Sequence, residues 1–515
     1  MRNQDLKEKY MRISKIPEQG YLVNGSGKLE EKILKDSEIA AKDSLARYGL
    51  GPTSKPGTIP HNIALKVLDL VQRISNPNAI DKEMFRGSAN RERDVISMVS
   101  RLFGKNNDDD LEAGYLLSGG TESLNQVTYM LRNKYFIENL NTDVRKAGLA
   151  EAIFQASKER LQTKGELIKP RILIPVNYHF AGVKGTDLLG LGTNNLAFYD
   201  VDKNFDIDED SLRATIKSIY EKGDDIMYSL AVAGDTPRGK VHNIRNLSNI
   251  MEELAHQHDK KSAPIVIDAA GSYMFIGMMK DSEKYDSFMP EVSFNIDNVE
   301  AIVGDPHKQP LPYSCGLLML KDMGLANYSD FRRIGNSGYL DMDDQSNRDT
   351  AAAMATLPTS RSGSNAFAVW AYMVYQGMDG LRKEKEKIWS LVKDFSEYVK
   401  ESKFYEPVCQ PQTQVVPFKF KGTGKENIDI YKKIKNSDKD FCYISQDEQM
   451  MVRTNQELNR SMVIDTKEYA GLFATVMEHN TQKDMDKLKE RLEEEAFNIN
   501  KRKSPMDYQR LEARG

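Results

Sequence analysis

Between residues 110 and 325 the chain alternates short apolar runs with longer stretches in which apolar residues recur every three or four positions. The runs are "GYLLSG", "RILIPVN", "DIMYSLAVAG", "APIVIDAAG", "EAIVGD" and "CGLLMLKD". An apolar run of this length without polar alternation predicts a strand buried on both faces. Two of the intervening stretches, "SLNQVTYMLRNKYFIENL" and "IRNLSNIMEELAHQ", keep helical spacing. Strands alternating with helices in this way predict an α/β architecture, a mostly parallel sheet sandwiched by helices.

The flanks read differently. Residues 1 to about 60 mix charged helical patches with Gly/Pro breaks such as "GLGPTSKPGTIPHN", an N-terminal arm, and "HNIALKVLDLVQRI" and "RERDVISMVSRLFG" follow as helices. Residues 327–350 are polar and rich in Gly, Asn, Ser and Asp, which predicts a mobile loop. A helix through "NAFAVWAYMVYQGM" comes next, then a smaller α+β portion that closes with the charged helix "KDMDKLKERLEEEAF". The expected domains are 1–90 (arm and helices), 91–380 (large domain), 381–500 (small C-terminal α+β domain) and 501–515 (a disordered tail).

Composition narrows the class. At 515 residues the chain can bury a large core, and 40% hydrophobic with 29% charged residues is ordinary for a soluble globular protein. A net charge of −4 gives no basic field for nucleic acid or an anionic membrane. The start "MRNQDLKEKYMRISK" has no apolar core for a signal peptide, and no run of about 18 apolar residues is available to span a bilayer. Three cysteines (Cys315, Cys409, Cys442) without metal-knuckle spacing fit a reducing cytoplasm. His256 and His258, at i and i+2 on a helix, diverge and read as surface. A cytoplasmic enzyme is the expectation.

The chemistry stands at the ends of the strands, where open α/β sheets bind ligands. "GYLL" is followed by "SGGTES", Ser118 to Ser123, in which Gly119 and Gly120 open a helix whose backbone N–H groups favour an anion such as phosphate. "RILIPVNY" is followed by His179, "MYSLAVA" by Gly234-Asp235-Thr236, and "APIVI" by Asp268, Ala269 and Ala270. An Asp closing an apolar strand is a helix cap or a deliberately buried charge. "EAIVGDP" is followed by His307 and Lys308, and Pro306, Pro310 and Pro312 forbid a helix there. Read alone, Lys308 is a surface lysine in a proline-rich turn; the set as a whole changes that. A lysine for an aldehyde, a carboxylate for a pyridinium nitrogen, a glycine-rich helix start for a phosphate, and a histidine face opposite a small residue such as Ala270 together suit pyridoxal 5′-phosphate.

Here the chain resembles the pyridoxal-phosphate-dependent group II amino-acid decarboxylases. The resemblance lies in "SGGTESLNQ", "HFAGVKGTDLLGLG", "VAGDTPRG", "VIDAAGSY" and "DPHKQPLPYSCGLLMLKD", and covers about residues 60 to 385. The chain looks nearest to the archaeal L-tyrosine/L-aspartate and bacterial tyrosine decarboxylases, while "NPNAIDKEMFRGSANRERDVISMV", "GYLDMDD" and "TSRSGSNAFAVWAYMVYQG" resemble sphingosine-phosphate lyases as well. The resemblance implies a fold-type I enzyme with a seven-stranded sheet, Lys308 as Schiff-base lysine, Asp268 as pyridinium partner and His179 as the stacking residue. It further implies Gly120, Thr121 and His307 on the phosphate side, and a homodimer in which Ser360 and Gly363 of "TSRSG" approach the partner's phosphate site. The chain departs from the family's pattern at Asp235, where a Ser or Thr is common, although Thr236 remains. Gly271-Ser272-Tyr273 and Phe180-Ala181-Gly182 are further departures.

The implied reaction is decarboxylation of an L-amino acid, aromatic or aspartate, with Tyr339 matching the loop tyrosine that protonates Cα. Cleavage of a phosphorylated amino alcohol, as by a sphingosine-phosphate lyase, is the alternative. A desulfurase needs a reactive loop cysteine, whereas Cys315 opens a buried strand; a cofactor-free binding protein would not need the Asp268–Lys308 pair. Arg86, Arg91 and Arg361 are the cations that could meet an acidic substrate side chain.

Overall fold

The computed structural model describes residues 60–79, 85–105, 111–312, 314–330, 355–436, 445–447 and 470–503. Its large sheet has seven strands: β1 (Gly114–Leu117), β2 (Pro170–Pro175), β3 (Leu196–Tyr199), β4 (Asp225–Val232), β5 (Ile265–Asp268), β6 (Val299–Gly304) and β7 (Gly316–Leu320), in the order β1-β7-β6-β5-β4-β2-β3. All pairs from β3 to β6 are parallel; β7 runs antiparallel between β6 and β1. The carboxyl ends of β1, β2, β4, β5 and β6 therefore lie along one edge.

Alternate residues of each strand enter opposite cores. Leu317 and Met319 of β7 face one core, Leu318 and Leu320 the other, and β5 divides Ile265 and Ile267 from Val266 in the same way. Burial on both faces is why these strands are continuous apolar runs in sequence. The helices that bear on the site are α1 (Asn62–Ile74), α2 (Arg86–Leu102), α3 (Gly120–Glu138), α4 (Ala181–Leu188), α5 (Glu209–Glu221), α6 (Ile244–Gln257), α7 (Tyr273–Met279) and α8 (Ser364–Glu401). Val95, Val99, Leu212, Leu247, Met251 and Tyr372 cover the first face; Leu124, Val127, Met130 and Phe136 of α3 cover the second. A side-chain cap starts α6, where Asn243 accepts the Asn246 N–H (3.1 Å).

A second sheet, β8 (Tyr405–Pro407), β9 (Val415–Phe420), β10 (Ser445–Asp447) and β11 (Gly471–Thr475), is antiparallel in the order β10-β11-β9-β8. With α9 (Gly424–Asn436) and α10 (Gln482–Lys503) it builds a third core that also takes in Phe275 and Met279 of α7. Helix α8 runs from the large sheet to this core and is kinked by non-helical backbone at Gly377 (φ 59°, ψ 177°). Most of the 327–350 stretch, Tyr339 included, lies outside the described residues. Its first residues belong to a 3₁₀ segment, Met323–Tyr328, rather than to a loop. No helix among the described residues is long and apolar enough to cross a membrane.

Candidate active site

The turn after β6 is built by backbone hydrogen bonds. The Asp305 N–H donates to the Ala270 carbonyl (3.0 Å), which fastens it to the end of β5, and the Lys308 N–H donates to the Asp305 carbonyl (2.9 Å). The prolines do exclude an α-helix, but Pro306–Lys308 forms one 3₁₀ turn. Pro306 takes its first position, where a missing N–H costs nothing. The His307 ring is anchored by the Cys315 backbone, Nδ1 lying 2.5 Å from the carbonyl oxygen. Lys308 Nζ is 3.0 Å from Asp305 Oδ2, and His307 Nε2 is 3.8 Å from the same oxygen.

Opposite this turn stands the start of α3. A Cβ on Gly120 would come within 2.9 Å of Asp305 Oδ2, one on Gly119 within 3.4 Å of His307 Cε1, and one on Gly316 within 2.4 Å of the Gly119 carbonyl carbon. The glycines thus let a helix N-terminus close on the lysine turn by backbone alone. No side chain caps α3 at Gly119, and Glu122 turns back to accept the Ser118 N–H (2.6 Å). Thr121 is half-buried in the first turn of α3.

Asp268 ends β5, buried, and accepts the Ala270 N–H (3.2 Å). Burial pushes its carboxyl up, against the pull of Lys308 and His179. His179 follows β2; its Nδ1 accepts the Ala181 N–H (3.2 Å) and its ring lies 4.2 Å from that of Phe180. Burial lowers the His179 pKa, while Asp268 raises it and Lys308 lowers it further. Three strand ends therefore bring His179, Asp268 and Lys308 within reach of one another's charge.

The remaining sequence candidates take other places. Thr236 is half-buried in the turn after β4, where Asp235 accepts the Lys240 N–H (2.8 Å) and pairs with Arg238 (2.7 Å), so Asp235 is explained by the turn itself. Arg361 is not available to a substrate. It is buried against Glu92, donates to the carbonyls of Leu116 and Ala79 (both 2.7 Å), and lies over the Tyr115 ring. Arg91 pairs with Asp94 and rests 4.0 Å from the Trp370 ring centroid, while Arg86 is exposed in the first turn of α2. Ser360 is exposed, and Gly363 is buried, its N–H donating to the Pro77 carbonyl (2.9 Å). Cys315 is buried just ahead of β7 and burial pushes its thiol far up, as an unreactive cysteine requires. Two residues escaped the sequence reading. Asp305 stood in the quoted "GDPHK" three positions before Lys308; Glu92 gave no local signal, because its partner is 269 residues away.

The donor set fits pyridoxal phosphate. A buried carboxylate, an amine and an imidazole lie within reach of one another's charge, and Asp305 Oδ1 is buried beside Gly120 without a hydrogen-bond partner. The fold and this set define the fold-type I pyridoxal-phosphate enzymes. Residues 177–421 match the pyridoxal-dependent decarboxylase conserved domain. The chain is 26% identical to the probable L-tyrosine/L-aspartate decarboxylase of Methanothermobacter thermautotrophicus over 353 residues, 68% of this chain and 78% of that protein. It is also 26% identical to the L-tyrosine/L-aspartate decarboxylase of Methanocaldococcus jannaschii over 394 residues, 75% and 85% of the two chains. The crystal structure of mouse CSAD shares the fold, with a TM-score of 0.70 at 16% identity over 94% of this chain and 90% of that one.

Proposed function

We propose that the chain is a pyridoxal-phosphate-dependent carboxy-lyase that converts an L-amino acid, aromatic or aspartate, to its amine and CO₂. The observation that carries this reading is the meeting of His179, Asp268 and Lys308 at the ends of β2, β5 and β6. When bound, the cofactor supplies an electron sink for the pair left on Cα as CO₂ departs. The chain's own residues do the rest. Lys308 holds the cofactor aldehyde, and Asp268 keeps a proton on the ring nitrogen. His179 and Ala270 would border the cofactor ring. Ser118, Gly119, Gly120, Thr121 and His307 receive the phosphate, and Thr236 borders the ring. Tyr339 delivers the proton to Cα.

The reading includes a cytoplasmic homodimer, in which the exposed Ser360 and the neighbouring Gly363 reach the partner's site. Sedimentation at assay concentration should give the dimer mass, and an active monomer would overturn this part. Borohydride reduction followed by peptide mapping should label Lys308, and a panel of amino acids should yield CO₂ and amine by mass spectrometry. Labelling at another lysine would remove the assigned role. Splitting of a phosphorylated amino alcohol to an aldehyde, with no CO₂ from any amino acid, would replace the reaction by the lyase alternative.

A further inference from the structure

Behind the Lys308 turn lies a buried charge cluster that the reaction does not use. Lys385, on α8 beyond the Gly377 break, is 1% exposed, and its ammonium meets three oxygens: Gln309 Oε1 (2.7 Å), Glu384 Oε1 (3.0 Å) and Glu478 Oε1 (2.5 Å). These partners come from three parts of the fold. Gln309 follows Lys308 directly and is itself buried, with its N–H bonded to the Pro306 carbonyl (2.9 Å). Glu384 accepts the hydroxyl of Tyr372, a residue of the large core (2.7 Å). Glu478 follows β11 of the small sheet, where Lys387 also holds its carbonyl (3.1 Å).

A second tie runs beside the first. Gln414, just ahead of β9 in the small domain, donates to the carbonyl of Gly271 (2.7 Å), the residue after Ala270. Lys308, Gln309, Lys385, Gln414 and Glu478 line one crevice of about 10 Å³, too small for a ligand and enough for one water at most. Burial works against the Lys385 charge, but Glu478 and Glu384 outweigh it and hold its pKa above the usual lysine value. Those two carboxylates would suffice for a structural ion pair. The third contact, to the residue next to Lys308, is the informative one.

We infer that Lys385 is a positioning residue, which ties the small C-terminal domain to the Lys308 turn through Gln309. The lysine that carries the cofactor is then set in place partly by how the small domain seats. The inference rests on the reading of Lys308 given above, and it names no group in contact with substrate. Gln309→Met keeps the volume and removes the acceptor, while Lys385 retains both carboxylates, so the variant should fold. Glu478→Gln weakens the same link from the small-domain side.

The test uses both variants as holoenzymes. Because misplacement of a reacting group by about 1 Å can cost a hundredfold, each variant should lose about tenfold in kcat with KM nearly unchanged. Each should also move the pH midpoint of the cofactor's visible absorbance by about half a unit or more. The double variant should do no more than either single one, since both cut one link. A merely structural cluster would lower the melting temperature and leave kcat and the absorbance midpoint where they were; that result overturns the inference. If borohydride fails to label Lys308 in the unaltered protein, the underlying assignment falls first, and the inference with it.

Discussion

Replacing Asp268 by Asn separates the cost of a buried carboxylate from its use. The side chain is buried, with the Ala270 N–H as its hydrogen-bond donor, and burial raises its pKa despite Lys308 and His179. The sign follows. A carboxyl whose folded pKa lies above the unfolded value, about 3.9, binds more protons folded than unfolded, so its contribution falls as pH rises through that window. In cofactor-free protein, Asp268→Asn should therefore equal or exceed the unaltered chain in thermal stability at pH 7, and the advantage should vanish toward pH 4. In the loaded enzyme the order reverses for turnover. Removing one partner of a buried ion pair costs roughly 3–5 kcal/mol. At about 1.4 kcal/mol per tenfold, that is a loss of two to three and a half decades in kcat. Melting curves with and without pyridoxal phosphate, together with amine release, measure both arms. Near-normal turnover, or an apoprotein markedly less stable at pH 7 than the unaltered one, would refute the role given to this carboxylate.

Glu92→Gln should lower the melting temperature by the equivalent of roughly 3 kcal/mol, because it leaves the buried Arg361 guanidinium unpaired while still able to accept the Leu116 N–H; an unchanged melt would show the pair to be dispensable. Gly316→Ala puts a methyl 2.4 Å from the Gly119 carbonyl carbon, backbone against backbone, so β7 and the start of α3 must part and the cofactor should be lost on dialysis. Retention equal to the unaltered chain would mean the junction can yield. Tyr339→Phe should still release CO₂ while amine output falls and an aldehyde appears, and undiminished amine would return Tyr339 to an ordinary loop residue.

Much of this was legible along the chain. The six apolar runs became β1, β2, β4, β5, β6 and β7, and "IRNLSNIMEELAHQ" is α6 residue for residue, because burial on two faces and amphipathic spacing are local facts. β3 was missed: its apolar run, Leu196–Tyr199, is only four residues long and lies at the sheet's edge with its middle partly buried. Residues at strand ends were found one by one, but their partnerships were not. The Asp305 carboxylate meets Lys308 across the 3₁₀ turn, and the Gln309–Lys385 contact joins residues 76 positions apart, which no local pattern reveals. Arg361 was weighed as a substrate cation because nothing near it in sequence reveals Glu92.

That last pair bears on how the enzyme is made. Glu92 holds the Leu116 N–H and Arg361 the Leu116 carbonyl, so the strand that feeds the phosphate-side helix is gripped from both directions at one residue. The two halves of the grip leave the ribosome 269 residues apart. At about 5–20 residues per second, the earlier half waits roughly 15–50 s for the later one. Throughout that interval Glu92 has no guanidinium to answer it, and for most of it the glycine turn has neither the lysine turn nor β7 to rest against. If this grip is what seats the phosphate-side helix, fragments released short of Arg361 should emerge colourless and prone to proteolysis.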